Sequence, residues 1–430
     1  MRQLDIHTAA FKAAPHGVLA EAQRDGPFAY CKFPLLGNVK SALTHEATYA
    51  VLKDSDRFAL DARNAGHKRA FGLPYVPKSL RLLTQNLLSL DDPDHQRLRR
   101  LADTPFRRAA IETSRGRVAE LVDSYLDEIA GRAETEVDLV EALFRPLPVN
   151  VISNMLGLTE AAQERLIKTM SGLSGASSTS GILRALFDMG GVIRQLRAEI
   201  DLARRDPRPG LLSDLINAEA QGGNMTEDEL VSLVLVLFVA GHDTTTNLLS
   251  SGLYTLLNEP GAWELAQGLD ADGWRVAVDE LMRFAMPVHI TKPRFVIADT
   301  EVSGTTLRRG EKVMAILGAA NLDPAVFDDP LTLDLARRPN RHAGWGGGAH
   351  ICLGLHLAKM ETELAFAKIA ERWPALAAMP TLGIALGRPP EHLFYRQFQR
   401  LSAHACSSSQ TSDPRDYCHY ARICPGTKTP

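Results

Sequence analysis

Cys352 stands two residues after His350 in a glycine-rich run, GWGGGAHICLG at 344–354, and directly before a helical pattern, LHLAKMETELAF. A thiol at a helix N-terminus is drawn toward thiolate by the free N–H groups and the helix dipole. A thiolate presented in this way suits a soft transition metal. Gly346, Gly347 and Gly348 permit a tight turn and close approach to something flat and bulky. Other uses compete. Zinc could take His350, Cys352 and His356, but no fourth ligand stands nearby. A phosphate loop needs a strand before the glycines and a lysine with Ser or Thr after them; RPNRHA is no strand and the lysine is absent. A plain glycine turn around a buried cysteine stays open on the loop alone.

Three other stretches carry residues able to do chemistry. AGHDTT (240–245) interrupts an apolar run where packing needs nothing polar. There Gly241 weakens a helix, Thr244 can bond a backbone carbonyl, and Asp243 beside it makes a carboxylate–hydroxyl pair able to relay protons. In ELMR, Glu280 and Arg283 lie one helical turn apart and can pair, which in isolation reads as a solvated surface pair. In DDPDHQRLRRL (91–101), His95 and Arg99 are four apart and can reach one partner, although a lone His95 reads as an ordinary surface histidine.

The elements that position these residues are mostly helices. Apolar residues recur three or four apart through 94–133, then over 159–170, 189–204, 226–257, 274–284 and 353–371. Strand-like segments are short: FAYCKF, GNVKSAL, RFVIAD at 294–299, EKVMAI at 311–316 and LFYRQF at 393–398. The fold class expected is mainly α with small β-sheets. No repeat or linker divides the body, so one domain is expected over 1–402, with 403–430 a polar, aperiodic and mobile tail. Cys406, Cys418 and Cys424 in that tail, with His419, fit no C-x-x-C pair. Five irregularly spaced cysteines argue against a disulfide scaffold and fit a reducing cytoplasm. A formal net charge of −3 gives no basic field for nucleic acid. The apolar run at 230–241 is too short to span a bilayer and the N-terminus lacks a signal-like run, so no membrane anchor is expected.

In their order along the chain, these stretches resemble the cytochrome P450 heme-thiolate monooxygenases of the soluble bacterial type. WGGGAHICLG matches the family's F-G-x-G-x-H-x-C-x-G at Gly346, Gly348, His350, Cys352 and Gly354, with Trp345 where phenylalanine is usual. ELMR matches E-x-x-R, AGHDTT the oxygen-activation stretch, DDPDHQRLRRL the H-x-x-x-R stretch, and ANLDPAVFDDP (320–330) an A-N-x-D-P segment. The likeness runs from about residue 15 to 401.

The resemblance implies a cytochrome P450 fold, a single triangular domain with a long central helix, and heme b with Cys352 as axial thiolate. It implies His95, Arg99 and Arg294 for the heme propionates, and Trp345, Gly346, His350, Gly354, Ala240 and Gly241 around the cofactor. Asp243 and Thr244 become the catalytic proton carriers. Glu280 and Arg283 become a buried structural pair, completed by Asn340 or Arg341. At Trp345 the indole N–H could donate to the Cys352 sulfur, or the ring could stack on the heme or simply fill space. Nothing in the chain resembles a flavin or iron–sulfur module. A ferredoxin or flavodoxin with its reductase is therefore the expected donor, docking by Arg97, Arg100, Arg107 and Arg108.

Phe71, Tyr75, Val288 and His289 are the substrate candidates. The cations His67, Lys68, Arg69, Lys78 and Arg81 among them suit a lipophilic acid such as a terpenoid or aromatic acid. The expected activity is hydroxylation of a small lipophilic molecule by a cytoplasmic monomer. A peroxygenase or desaturase-type enzyme and a non-catalytic heme sensor are the alternatives.

Overall fold

The computed structural model describes residues 1–6, 8, 11, 14–33, 36–67, 82, 86–131, 136–173, 179–220, 225–378 and 402–404. Phe71, Tyr75, Lys68, Arg69, Lys78, Arg81, the segment 393–398 and the tail beyond residue 404 lie outside the described residues.

The chain opens with β1 (Gln3–Leu4), α1 (Pro15–Arg24), β2 (Phe28–Phe33), β3 (Gly37–Ala42), α2 (His45–Lys53) and β4 (Phe58–Ala59). The helical periodicity of 94–133 then divides into α3 (Asp94–Asp103), α4 (Arg108–Thr113) and α5 (Arg115–Ala130). The break is a 3-10 turn at Thr104–Phe106, where Pro105 has no N–H to continue the ladder. After β5 (Glu136–Asp138) and a π-turn at Val140–Phe144 comes α6 (Pro146–Leu156), a helix that sequence periodicity does not mark. Pro146 and Pro148 read as breakers, yet Pro146 occupies the first turn, where a missing N–H costs nothing.

Next come α7 (Glu160–Leu173), α8 (Thr179–Arg205), α9 (Leu211–Ala220), α10 (Glu227–Asn258), α11 (Ala262–Gln267) and α12 (Ala271–Phe284). The remainder is β6 (Arg294–Val296), β7 (Thr300–Val302), β8 (Thr305–Leu307), β9 (Lys312–Ala315), α13 (Leu317–Ala320), α14 (Leu355–Arg372) and β10 (Ser402–His404).

α10 is the axis of the helical layer. Thr226 and Glu229 cap it reciprocally, and Glu227, Asp228 and Glu229 complement the positive end of its dipole. By length and composition this 32-residue helix could cross a membrane, but 67% of its most apolar window is buried inside the protein. It is a core helix. Leu233, Phe238, Leu249 and Leu253 of α10 pack in one apolar core with Leu126 of α5, Ile152 of α6, Leu281 of α12 and Phe366 of α14. Each such fully buried side chain contributes about 1.5–3 kcal/mol.

The sheet layer has six strands in the order β1-β2-β3-β9-β6-β4. β9 runs parallel to β3, and β6 pairs antiparallel with β9, setting Arg294 opposite Val313. That register fixes where Arg294 leaves the sheet. Two-stranded ribbons, β7 with β8 and β5 with β10, complete the pairing among the described residues.

Candidate active site

The glycines of 344–354 serve contacts within the protein. Gly348 has φ +68, and a Cβ there would lie 2.4 Å from the Leu52 carbonyl oxygen at the end of α2. A Cβ on Gly347 would lie 3.0 Å from the Tyr49 ring. At Gly347 and Gly348 the close approach is therefore to α2, whereas a Cβ on Gly346 would meet only the His350 carbonyl at 3.7 Å. The loop closes when the Cys352 N–H donates to the Trp345 carbonyl oxygen at 2.9 Å.

Helix α14 starts at Leu355 with Gly354 as its N-cap, so Cys352 lies just before the helix. Cys352 retains accessible surface although protein surrounds it closely enough to desolvate the thiol. Burial pushes its thiol up, while the Gly354 N–H and the Arg99 charge pull it down; the net direction is up. The helix end alone does not hold a thiolate, and a coordinated metal would be the dominant deprotonating influence.

Cations converge on this loop. Arg99 donates from Nη1 to the Ile351 carbonyl at 2.6 Å. The rings of His95 and His350 lie face to face at a tilt of 39° with centroids 3.9 Å apart. His95 is 2% exposed and its Nε2 has no hydrogen-bond partner, while its Nδ1 sits 3.5 Å from Asp92. Arg294 is 5% exposed, and burial lowers its guanidinium to about 10. No described residue makes a hydrogen bond or ion pair with that guanidinium. Lys292, which the sequence reading does not single out, donates to Ser89 Oγ at 3.1 Å and is lowered by desolvation to about 8. Burial, then the charges of His95, Arg294, Arg99 and Lys292, drive His350 down to about 2. Asp91 is the carboxylate acting on Arg294, but its oxygens accept from the Leu60 and Asp61 N–H groups and from Asn64.

This donor set asks for anions that the protein does not supply. A thiol beside a cluster of largely buried donors fits heme b, whose iron would take a thiolate and whose two propionates would take the cations. It does not fit zinc. His350 faces His95, His356 lines a groove elsewhere, and no cluster of His, Cys, Asp and Glu able to hold a metal ion forms among the described residues.

Val239, Ala240, Gly241, Asp243 and Thr244 are partly exposed in a stretch of α10 that is buried on either side. Thr244 donates to the Ala240 carbonyl at 2.6 Å, and Thr246, Ser250 and Ser251 repeat the same four-residue step back. The helix nonetheless runs unbroken through Gly241. A Cβ at Gly241 would rest against Ile152 at an ordinary 3.5 Å. His242, also not singled out from sequence, is buried with Nδ1 3.1 Å from Asp243 Oδ1.

Glu280 and Arg283 are both 0% exposed and joined by two bonds of 2.7 Å. Arg283 also donates to the carbonyls of Asn321, Pro330 and Thr332. Glu280 also accepts from the Asp334 N–H, Arg337 Nε at 3.2 Å and Asn340 Nδ2 at 3.0 Å. Of the two completing residues considered, Asn340 takes part and Arg341 does not; Arg341 offers its carbonyl to His45. Arg337 is the member that spacing could not reveal.

Trp345 packs against Leu248, Val278 and Met282, and its buried Nε1 has no hydrogen-bond partner. The indole does not donate to the Cys352 sulfur. His289 meets Phe11 edge-on with centroids 6.3 Å apart and lies beside Gly318, while Val288 packs into the sheet-side core. His67 bonds the Gly310 carbonyl.

Of the arginines expected to form a docking patch, Arg97 pairs with Glu229 and Asp94, Arg107 with Asp103, and Arg100 with Gln96. Arg108 instead lines a groove of about 550 Å³ together with Arg275, Arg338, Lys359, Leu355 and His356.

The family model described as Cytochrome P450 matches residues 188–267 and 275–375. The chain is 32% identical over 370 residues to cytochrome P450 monooxygenase PikC of Streptomyces venezuelae, covering 85% of this chain and 86% of that protein. It is 35% identical over 356 residues to nocardicin C N-oxygenase of Nocardia uniformis subsp. tsuyamanensis, covering 82% and 84%. Among solved structures, the tirandamycin C-bound P450 monooxygenase TamI superposes with TM-score 0.82 at 28% identity, over 94% of this chain and 100% of that one.

Proposed function

Because the chain belongs to the cytochrome P450 family of heme b monooxygenases, we propose that it hydroxylates a small lipophilic molecule with electrons from a ferredoxin or flavodoxin and its reductase. Bound heme supplies the oxygen chemistry: dioxygen is reduced with two electrons and one atom enters a C–H bond. The protein supplies position, donors and protons. Cys352 would hold the heme iron, and His95, Arg99, Arg294 and His350 would hold the propionates. Arg99 ties that grip to the ligand loop through the Ile351 carbonyl.

On the opposite side, the exposed stretch of α10 carries the proton route. The Thr244 hydroxyl, aligned by its bond to the Ala240 carbonyl, passes protons inward. Asp243, with its side chain 32% exposed beside His242, draws them from water. Val288, His289, Phe71 and Tyr75 remain the substrate side of this reading. The groove beside Leu355 and His356 receives the electron donor, with Arg108 and Arg338 meeting acidic groups on it, while Arg275 and Lys359 there pair with Asp272 and Asp279. The enzyme works as a cytoplasmic monomer, and its net charge of −3 gives nucleic acid no basic field to bind.

The observation that carries the reading is the convergence of Cys352 with buried donors that lack protein anions. The reduced carbon monoxide difference spectrum of the purified protein tests it. A strongly red-shifted Soret band is expected; a histidine-type band, or no heme at all, would overturn it. Product formed stoichiometrically with NADH, given ferredoxin and its reductase, separates a monooxygenase from a peroxygenase or a sensor.

A further inference from the structure

Lys292 is held in place by its chain neighbours. The Thr291 N–H donates to the Ala315 carbonyl at 3.0 Å, and Thr291 Oγ1 accepts from the Ala315 N–H at 3.0 Å. Lys292 therefore leaves a segment pinned to β9, two residues before Arg294, between the 287–291 stretch and the propionate-binding cations. Its ammonium carries three donors. Among the described residues one partner meets it, the neutral Ser89 hydroxyl, which is 5% exposed and turns its own hydrogen toward Asn86. Keeping a half-buried ammonium on one neutral partner costs stability, so packing does not explain it.

The heme has partners enough without it. When heme b is bound, the ferric porphyrin core and the Cys352 thiolate cancel, leaving two negative propionates. Arg99, Arg294 and Lys292 are three cations acting on the same His350. Asp91 and Asp92 offset part of this positive charge; Asp91 also accepts from the Leu60 and Asp61 N–H groups and from Asn64, and Asp92 faces His95. His95, Arg99, Arg294 and His350 already offer four groups to the two propionates, so Lys292 is the cation left without a heme partner, next in sequence to the 287–291 stretch.

We propose that Lys292 anchors the carboxylate of the substrate, which makes the substrate class a lipophilic monocarboxylic acid, and this rests on the heme-thiolate reading above. The carboxylate would sit on the propionate side of the pocket and point the apolar body toward α10.

Spin-state titrations of the heme-loaded protein test this with dodecanoate and 4-phenylbutyrate, each against its methyl ester. In the unmodified protein at least one acid should bind about tenfold or more tightly than its ester, a ratio matching one charge-assisted hydrogen bond. Lys292→Met should bring that ratio to about one, and Lys292→Arg should retain most of it. An equal response to acid and ester, no response to either acid, or an acid preference surviving in Lys292→Met would each overturn the proposal. Loss of heme from Lys292→Met with the ratio unchanged would also overturn it, by making the lysine a propionate partner. A missing red-shifted carbon monoxide band in the unmodified protein would instead sink the heme-thiolate reading itself. The melting temperature of Lys292→Met should match or exceed that of the unmodified protein, which checks that the variant folds.

Discussion

Two buried charge clusters flank the cysteine loop, and they are built on opposite principles. In the Glu280–Arg283 cluster, both carboxylate oxygens and the guanidinium donors meet partners supplied by the chain itself: Asn321, Pro330, Thr332, Asp334, Arg337 and Asn340. In the cluster of His95, Arg99, Lys292, Arg294 and His350, positive groups face one another with little to neutralise them. Both lie largely inside the protein, though Arg99, Lys292 and His350 are only half-buried, so burial alone says nothing about role. What separates them is completeness. The first is finished by folding, and the second is finished only by something that arrives later.

The sharpest way to break this contrast is to remove one member from each. Arg283→Met strands a fully buried carboxylate and should cost about 3–5 kcal/mol of stability. A urea melt would show it as a large fall in midpoint, together with poor heme retention. Arg294→Gln should behave in the opposite sense. Without heme the chain should melt no earlier than the unmodified protein, because a desolvated cation has been removed. Heme dissociation, followed by transfer to an acceptor globin, should quicken by about 10–100-fold, the worth of one hydrogen bond between charged groups. Equal losses of stability in the two variants would erase the distinction.

A smaller effect comes from Glu361, which belongs to neither kind. It is 2% exposed in α14, its Oε2 has no hydrogen-bond partner, and burial raises its carboxyl from 4.5 to about 8. The folded state thus keeps a proton that the unfolded chain releases above pH 4.5. Its contribution to stability is fully present below that pH, declines as pH rises, and is lost once pH passes about 8. The slope should reach about 1 kcal/mol per pH unit at its steepest. Glu361→Gln should flatten it, raising the melting temperature more at pH 8 than at pH 5. An unchanged slope in that variant would mean that Glu361 is ionised in the fold.

How much of this was legible in the sequence depends on where each partner lies. The helices at 226–257 and 353–371 are nearly those found, because long apolar periodicity reports on itself. α6 was hidden because prolines that usually break helices here begin one. Cys352, His350, Glu280 and Arg283 could be picked out because their motif partners are close in sequence. Arg337 could not, since its carboxylate partner lies 57 residues upstream. Lys292 is recognised only through Ser89, 203 residues away. The glycines of the cysteine loop show the reverse difficulty. Their type was plain, but whether they accommodate a ligand or Leu52 required the fold.

The bond between Arg99 and the Ile351 carbonyl spans 252 residues of chain. Closing so long a loop has to wait until most of the polypeptide exists, whereas helices such as α5 need only their neighbours. During synthesis the N-terminal half is made first and can gather its own core, yet the site's two halves meet only after residue 352 has been added. Heme capture is therefore a late event in the life of each new molecule. Until then, the facing histidines and their neighbouring cations have no shared purpose.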